Sequence, residues 1–282
     1  MERHYRGRWK KMKCIVSLSG GRDSATCLGL AVDKYGAENI YAMGFEYGST
    51  HPQELERAQK IADYYGVPYQ VVQINPAIFS GSTCTMLQGS KGEIQKGKTY
   101  EEILSEKAGK VDTYVPFRNG LFSAFVAARA ESISQQFDDD VVIMLGQHAD
   151  DSGYWVDEEG NEHLDETKAA YPDCSVAFVR AFEKVVEISS VGRVHYEAPF
   201  VKMHKWELIK TGLELKKPVP YELCLSCYDP IIHEDGTVEE CQRCATCLDV
   251  ISNTRKALEA IQSENPVLYN DLISREYYKR YL

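Results

Sequence analysis

The sequence at residues 14–24 reads CIVSLSGGRDS. Its apolar first half predicts a buried strand, its paired glycines predict a turn, and the apolar spacing from Cys27 to Tyr35 predicts a helix. A strand, a glycine turn and a helix in this order present bare backbone N–H groups at a helix N-terminus, where the helix dipole favours anions such as phosphate. We therefore predict an anion-binding loop, formed by Leu18, Ser19, Gly20, Gly21, Arg22, Asp23 and Ser24.

The order S-G-G-x-D-S narrows the kind of anion. No lysine follows the glycines, so this is not the P-loop G-x-x-x-x-G-K-[ST], and the dinucleotide pattern G-x-G-x-x-G does not fit either. The order resembles the pyrophosphate loop of the N-type ATP pyrophosphatase superfamily. Those enzymes cleave ATP between the α- and β-phosphates and adenylylate an oxygen of their substrate. The resemblance implies that residues 18–24 bind ATP; the alternative is an ordinary glycine-rich turn.

Composition and charge limit the class of protein. The chain has 282 residues, of which 44% are hydrophobic and 26% charged, and its formal net charge is −10. A negative chain is a poor candidate for binding nucleic acid, which requires clustered Lys and Arg. No apolar run approaches the roughly 20 residues that a membrane span needs. Residues 1–12 are basic with no apolar segment after them, so we expect a flexible leader and a cytoplasmic protein without nucleic-acid or membrane partners.

Apolar segments along residues 13–215 predict the fold class. Predicted strands alternate with predicted helices, which indicates an α/β protein with a Rossmann-like (HUP), doubly wound parallel sheet. Two long irregular stretches, 75–114 and 146–171, interrupt the pattern, and we expect the first to be a lid or active-site loop. The predicted strands after the first are Ile40–Phe45, Tyr69–Ile74, Val141–Leu145 and Val194–Ala198.

Five of the nine cysteines fall between Cys224 and Cys247. Such clustering, without a secretion signal, indicates a metal site in a reducing compartment rather than disulfides. The spacing C-x-x-C-x-x-C with a cysteine upstream fits a structural zinc site, and an iron–sulfur cluster is the alternative. Cys224 is left as a spare or core residue. We predict a helical zinc-binding subdomain at 216–282 with the ligands Cys227, Cys241, Cys244 and Cys247.

Several motifs in a fixed order resemble the 7-cyano-7-deazaguanine synthase (QueC) family. Besides the anion loop, they are Tyr47–Leu55 (YGSTHPQEL), Pro116–Asn119 (PFRN), Tyr171–Cys174 (YPDC), Met203–Lys205 (MHK) and Ser226–Tyr228 (SCY) before Cys241–Cys247. The chain departs from the family pattern at two places. Phe117 stands where the family has glycine, and an acidic insertion follows Tyr154 and separates it from Tyr171.

The resemblance implies a ligase that forms C–N bonds. Such an enzyme adenylylates 7-carboxy-7-deazaguanine with MgATP, aminates it with ammonia and passes through the amide to 7-cyano-7-deazaguanine, releasing AMP and pyrophosphate. The resemblance also implies structural zinc and a homodimer. Because of the insertion, a variant that stops at the amide or uses another amine acceptor, in a phage or defence pathway, is an alternative. An alternative of another class is a non-catalytic module that binds ATP or a deazapurine.

Charged residues in these motifs receive catalytic roles from the resemblance. Asp23 orients the loop or helps to bind Mg²⁺, and its alternative role is a helix cap. Arg22 reaches phosphate or lies on the surface. Arg118 and Lys205 neutralise phosphate or the substrate carboxylate, which arginine can do through two parallel hydrogen bonds. We therefore predict Asp23, Lys205 and Arg118 as catalytic residues.

Substrate contacts are predicted in two regions. Asp150 and Asp151 follow a predicted core strand, at the edge where open α/β sheets bind ligands, although an exposed loop is the alternative. Asp173 accepts N–H bonds from the guanine-like edge of the substrate, or caps a helix predicted from Pro172 to about Ile188. The predicted substrate-binding residues are Asn119, Asp150, Asp151, Tyr171 and Asp173.

Overall fold

The computed structural model describes residues 12–106, 111–157, 159–165 and 169–282. Residues 1–11 of the predicted leader lie outside the described residues. The strands are β1 (Lys13–Ser17), β2 (Ile40–Glu46), β3 (Tyr69–Gln73), β4 (Val141–Met144), β5 (Tyr154–Val156), β6 (Glu162–Leu164), β7 (Val194–Glu197), β8 (Ile231–Ile232) and β9 (Val238–Glu239). The helices are α1 (Arg22–Tyr35), α2 (Gln53–Tyr65), α3 (Tyr100–Glu106), α4 (Arg118–Phe137), α5 (Ala149–Ser152), α6 (Val176–Ser189), α7 (Lys205–Glu214), α8 (Ala245–Glu264), α9 (Pro266–Ser274) and α10 (Glu276–Lys279).

Five parallel strands form the central sheet, in the order β3-β2-β1-β4-β7. β1 lies in the middle, with Cys14 opposite Ile40 of β2 and Val142 of β4. Continuous apolar runs are typical of strands that are buried on both faces, and Cys14, Ile15 and Val16 are buried almost completely. The predicted α/β fold with a parallel sheet is therefore confirmed.

Helices cover both faces of this sheet, as a doubly wound fold requires. On one face, Val16 of β1 packs in a cluster with Leu28 of α1 and Leu208 of α7. On the other face, Ile15 of β1 packs in a cluster with Val126 of α4. Because side chains alternate along a strand, neighbouring residues of β1 serve the two cores.

The C-terminal helices share the first of these cores. Leu258 of α8, Leu272 of α9 and Tyr278 of α10 belong to the same cluster as β1 and α1. The predicted division between 13–215 and 216–282 stays a prediction. Among the helices that the structure describes, none has the length and apolar character needed to cross a membrane.

Two predicted stretches contain different secondary structure. The segment 146–171, predicted to be irregular, holds the short helix α5 and the antiparallel hairpin β5–β6. The helix predicted from Pro172 consists of a 3₁₀ turn, Pro172–Cys174, followed by α6 from Val176. Ser175 separates the two, because its hydroxyl accepts a hydrogen bond from the Phe178 N–H and so caps α6.

The parallel strands place their C-terminal ends at one edge of the sheet. The anion loop follows β1, Tyr47 follows β2, Gln147 follows β4, and Lys205 follows β7 after a short connection. Open α/β sheets bind ligands at this edge, where the connections from neighbouring strands diverge. The topology therefore brings separate sequence motifs to one place.

Candidate active site and four-cysteine site

A cavity of about 200 Å³ lies at this edge of the sheet. Residues after β1, β2 and β4, the N-terminus of α4 and the cysteine-rich segment all contribute to its wall. Four predicted ligand-binding residues lie outside the lining: Gly20, Arg22, Asp150 and Asp173. The predicted residues that line the cavity are Leu18, Ser19, Gly21, Asp23, Ser24, Arg118, Asn119, Asp151, Tyr171 and Lys205.

Hydroxyl groups and one glycine hold the anion loop in shape. The Ser19 N–H donates to Ser24 Oγ at 3.2 Å, and the Ser24 hydroxyl donates to the Gly21 carbonyl at 3.1 Å. Gly20 has a φ of 96°, and a β-carbon at this position would lie 2.2 Å from the Glu54 carbonyl oxygen. Only glycine fits such a backbone at such a contact. The loop therefore packs directly on α2, while its serines line the cavity.

Arg22 does not line the cavity, and the alternative that it lies on the surface is wrong, while contact with phosphate stays a prediction. Its side chain is 1% exposed. The guanidinium donates to the two carboxylate oxygens of Glu240 at 3.0 and 3.3 Å, and to the hydroxyls of Tyr277 and Tyr281 at 2.8 and 3.1 Å. Arg22 thus joins the anion loop to the C-terminal part of the chain.

Asp23 and Lys205 form a charged pair at the cavity. Lys205 Nζ lies 3.4 Å from Asp23 Oδ2 and 3.0 Å from Asp249 Oδ2 on α8. Burial by itself raises the pKa of Asp23, but the charges of Lys205 and His148 hold that pKa well below its usual range. The N-cap of α1 is Gly21, so the alternative role of Asp23 as a helix cap is wrong. Asp23 therefore stays ionised and faces a fixed ammonium group.

His148 is a site residue that the sequence prediction missed. It is 2% exposed, and its Nε2 lies 3.6 Å from Asp23 Oδ2 and 3.4 Å from Asp151 Oδ2. Burial by itself lowers the pKa of His148. The carboxylates of Asp151 and Asp23 have a larger effect in the opposite direction and raise this pKa to about 9. The available signal was its position just after β4, at the same sheet edge as Asp150. Asp249, in the middle of a helical pattern, offered no comparable signal.

Arg118 and Asn119 begin α4 and line the cavity. The Arg118 guanidinium donates to the Tyr47 hydroxyl at 3.3 Å, and it forms no ion pair within the described part of the chain. Asn119 Nδ2 donates to Cys174 Sγ at 3.2 Å. A guanidinium at a cavity wall without a carboxylate partner is suited to bind a carboxylate or phosphate from solution.

Neither departure from the family pattern contributes a described residue to the cavity wall. Phe117 adopts the left-handed conformation with a φ of 53°, which glycine adopts more easily. Its ring covers Gly120 and is 61% exposed, outside the cavity lining. The inserted hairpin β5–β6 also contributes no described residue to the lining.

Asp150 and Asp173, both predicted to contact substrate, each bond to the protein near the N-terminus of a helix. Asp150 Oδ1 lies 2.6 Å from His204 Nδ1, and its Oδ2 accepts the Lys205 N–H at 2.8 Å, at the N-terminus of α7. Asp173 Oδ2 accepts the Asn119 N–H at 3.1 Å, in the first turn of α4. Asp173 does not cap α6, because Ser175 has that role. Asp173 Oδ1 is buried and has no hydrogen-bond partner among the described residues, so substrate contact by Asp173 stays a prediction, as does contact by Asp150.

Aromatic side chains form much of the remaining wall, at Tyr47, Tyr100, Phe122, Tyr171 and Tyr228. The rings of Tyr100 and Tyr171 lie 6.3 Å apart at 76°, and the hydroxyls of Tyr171 and Tyr228 lie 3.3 Å apart. Tyr100 belongs to the stretch 75–114, and its place at the cavity agrees with the predicted active-site loop. Flat rings with polar edges suit a planar heterocycle.

The four predicted metal ligands lie together at the start of α8. Their Sγ atoms are all within 4.8 Å of one another, and Cys227–Cys244 and Cys241–Cys247 are each separated by 4.0 Å. Bonds of about 2.3 Å to one tetrahedral ion place sulfurs about 3.8 Å apart, so the cluster fits a single metal ion. An iron–sulfur cluster divides its thiolates among several irons and needs more room.

The surroundings of these cysteines favour thiolates. The Cys241 N–H donates to Cys227 Sγ at 3.2 Å, and the Cys244 N–H donates to Cys241 Sγ at 3.3 Å. Cys244 is the N-cap of α8, where the helix dipole stabilises negative charge. Cys224 lies apart in the main hydrophobic cluster, which confirms its prediction as a core residue.

A parallel α/β sheet with an S-G-G-x-D-S loop after its central strand defines the class of PP-loop proteins, which bind ATP. The profile of the family described as "Queuosine biosynthesis protein QueC" matches residues 13–163 and 161–257. The chain belongs to the QueC family, as the motifs predicted.

Similar proteins agree with this assignment. The 7-cyano-7-deazaguanine synthase of Desulfatibacillum aliphaticivorans is 32% identical over 246 residues, which cover 85% of this chain and 90% of that protein. The synthase of Rhodopirellula baltica is 34% identical over 243 residues and 83% of each chain. Both names denote enzymes, in agreement with the predicted class. Among solved structures, the match to the U34-tRNA thiolase NcsA of Methanococcus maripaludis is 17% identical, covers 96% of this chain and 72% of that protein, and has a TM-score of 0.38.

Proposed function

We propose that this chain is an ATP-dependent ligase that converts 7-carboxy-7-deazaguanine and ammonia into 7-cyano-7-deazaguanine through the amide. The observation that carries the proposal is one cavity whose wall combines the anion loop, Lys205, the guanidinium of Arg118 and several aromatic rings. A carboxylate on a flat heterocycle, bound beside a triphosphate, matches this combination. The names of the relatives support the same substrate.

The chemistry explains why ATP is consumed. A carboxylate is a poor electrophile, and transfer of AMP to one of its oxygens gives a mixed anhydride with a good leaving group. Ammonia attacks the carbonyl carbon, a proton is lost, and AMP departs to leave the amide. A second adenylylation, on the amide oxygen, allows loss of AMP and the remaining amide protons to give the nitrile. Positioning and charge stabilisation supply most of the catalysis.

The anion loop and Lys205 hold the phosphates in this proposal. The backbone N–H groups around Gly21 and the hydroxyls of Ser19 and Ser24 face the leaving pyrophosphate. Lys205 neutralises charge that develops on it. Lys205 is already fixed beside Asp23 and Asp249, so its placement needs little reorganisation.

Magnesium accompanies ATP in this proposal, and Asp23 fits as its protein ligand. Asp23 Oδ1 is buried and has no hydrogen-bond partner among the described residues, and Asp23 lines the cavity. Mg²⁺ prefers carboxylate and phosphate oxygens. When bound, the ion would neutralise phosphate charge.

Arg118 holds the substrate carboxylate, and the aromatic wall holds the ring system. Among the described residues, the Arg118 guanidinium has only the Tyr47 hydroxyl as a hydrogen-bond partner. Two parallel N–H···O bonds to a carboxylate are the geometry that a guanidinium favours. Asn119, Asp151 and Tyr171, which line the same cavity, contact the heterocycle edge.

Zinc is the ion we propose for the four cysteines, because four close thiolates would fill all positions of a tetrahedral zinc ion and leave none open for chemistry. The site is then structural and stabilises the fold. A reducing cytoplasm fits a protein that depends on free thiolates. We propose a homodimer on the basis of the family resemblance.

Isotope labelling tests the proposed reaction. The purified protein is incubated with MgATP, ammonium and 7-carboxy-7-deazaguanine carrying ¹⁸O in both carboxylate oxygens, and the products are analysed by mass spectrometry. Two adenylylations predict two AMP molecules per nitrile, each with one ¹⁸O atom. One labelled AMP with a labelled amide indicates an enzyme that stops at the amide. Unlabelled ADP, or ATP binding with no turnover, contradicts the proposal.

A further inference from the structure

The anion loop is bonded to the cysteine-rich segment by its backbone. The Leu225 N–H donates to the Gly20 carbonyl at 3.0 Å, and the Arg22 N–H donates to Ser226 Oγ at 3.3 Å. Ser226 directly precedes the metal-ligand position Cys227. The loop that lines the cavity on one side is therefore held on its other side by the segment that carries the cysteines.

Glu240 connects the anion loop to the cysteine-rich segment by further hydrogen bonds. Its carboxylate accepts one hydrogen bond each from Nη1 and Nη2 of Arg22, and its Oε1 also accepts the Ser226 N–H at 3.2 Å. Arg280 adds a further N–H bond to Oε2 at 3.1 Å. One carboxylate thus links the side chain of the loop residue, the backbone of the cysteine-rich segment and the C-terminal end of the chain.

The Arg22 side chain has no other described acidic partner and is almost completely buried. A buried guanidinium that loses its carboxylate must find another anion or move to solvent, because an unpaired buried charge is costly. Arg22 is the first residue of α1 and directly follows Gly21, so movement of its side chain can shift the anion loop. The N–H groups of Gly21 and Ser24 would shift with it, and an error of about 1 Å in such groups matters for binding and catalysis.

We propose that Glu240 is a positioning residue for ATP: through Arg22 and Ser226 it fixes the anion loop in the shape that receives the pyrophosphate. Glu240 itself does not touch the ligand. The inference rests on the proposed function in assuming that the loop binds ATP. The C-terminal segment thereby has a role in ATP binding, which the S-G-G-x-D-S motif alone does not indicate.

Binding of MgATP at equilibrium tests the proposal with the full chain, by calorimetry at 25 °C. Glu240→Gln keeps the size of the side chain and removes its charge, and we expect the Kd for MgATP to rise about tenfold. Glu240→Asp keeps the charge and should recover part of the affinity. Glu214→Gln is the matched control, because Glu214 forms an exposed ion pair with Lys210 on α7, and its Kd should equal that of the wild type.

Three readouts separate positioning from a structural role. Circular dichroism and metal content should match the wild type at 25 °C, and the KM for ATP should rise while the KM for the carboxylate substrate stays constant. A folded Glu240→Gln variant with the wild-type Kd for MgATP overturns the proposal. If that variant does not fold, the Kd for MgATP is measured with Tyr281→Phe, which removes one hydroxyl that accepts a hydrogen bond from Arg22. We expect the Kd of this variant to rise about threefold, and an unchanged Kd overturns the proposal. Wild-type protein that binds no MgATP would instead refute the proposed function, and this inference with it.

Discussion

Lys205 Nζ lies 3.4 Å from Asp23 Oδ2, although the two residues follow different strands. β1 and β7 are separated in the sheet by β4, so this contact crosses the edge where all three strands end. Lys205 also contacts Asp249 of α8 at 3.0 Å. An ammonium group held between two carboxylates can turn to a phosphate by exchanging one anionic partner for another, which costs less than desolvating a free lysine.

Replacing Lys205 with methionine should abolish AMP formation. We expect kcat to fall by at least about 100-fold, since a fixed cation beside developing phosphate charge contributes on that scale. The measurement is AMP release with saturating ATP and carboxylate substrate. Lys202→Met is the control, because Lys202 pairs with Glu162 on the exposed surface. A Lys205→Met variant with kcat within tenfold of the wild type would contradict the assignment.

Stability should decrease as the pH rises from about 6.5 to about 9 because of His148. The pKa of histidine in the unfolded chain is about 6.5, and the carboxylates of Asp151 and Asp23 outweigh burial and raise it to about 9 in the folded protein. The folded state therefore binds this proton more tightly. The stabilisation of the folded protein by protonated His148 is fully present below about pH 6.5 and is lost as the pH rises through about 9. It amounts to at most about 3 kcal/mol.

Urea unfolding at pH 6, 7.5 and 9 measures this dependence on His148. The His148→Gln variant has no proton to lose, so its free energy of unfolding should vary less with pH than that of the wild type. Equal pH slopes in His148→Gln and wild type would show that His148 carries no such linkage.

Arg118→Met should weaken binding of the carboxylate substrate and spare binding of the neutral amide. The guanidinium is expected to form charge-assisted hydrogen bonds with the carboxylate, and the amide intermediate has no such charge. We expect the Kd for 7-carboxy-7-deazaguanine to rise about 30-fold or more, and the Kd for the amide to change by less than about threefold. Fluorescence titration of both compounds makes the comparison. An equal loss for both, or a loss for MgATP instead, would place Arg118 at another subsite.

The sequence predicted the parts of this site that depend on local pattern. The anion loop, the parallel sheet and the four cysteines are each encoded by residues close together in the chain, where strand, turn and ligand spacing are visible. Arg22 shows the limit of this approach. Its position in the loop suggested phosphate, but its partner Glu240 is 218 positions away, and only tertiary packing brings the two together.

Carboxylates near helix ends show a second limit of prediction from sequence. Asp150 and Asp173 lie next to motifs and after strands, as substrate ligands do, yet each accepts a backbone N–H at the start of a distant helix. A carboxylate satisfies free N–H groups at a helix N-terminus as well as it binds a ligand. The sequence could not say which helix would come close. Asp249 was missed because only tertiary packing brings its helix to Lys205.

Loss of the metal should weaken ATP binding as well as stability. Cys244→Ser removes one thiolate, and we expect bound zinc to be lost and the free energy of unfolding to fall by more than about 3 kcal/mol, which lowers Tm by more than about 6 °C. The Kd for MgATP should rise about tenfold at a temperature where the variant stays folded, because the segment that carries Cys227 also holds the Gly20 carbonyl. Cys224→Ala, in the hydrophobic core, is the control and should keep the metal and the Kd.

The same coupling must act in the opposite direction. If metal loss weakens ATP binding by some factor, bound ATP must strengthen metal binding by that factor, since the two equilibria form one thermodynamic cycle. Titration with a zinc chelator in the presence and absence of saturating MgATP, followed by elemental analysis, should therefore show about tenfold tighter zinc with the nucleotide. Free magnesium is held constant in both titrations, so that the chelator competes equally. Identical zinc affinities with and without MgATP would show that the cysteine site does not position the anion loop. An equal Tm for Cys244→Ser and wild type would show that the site does not stabilise the fold.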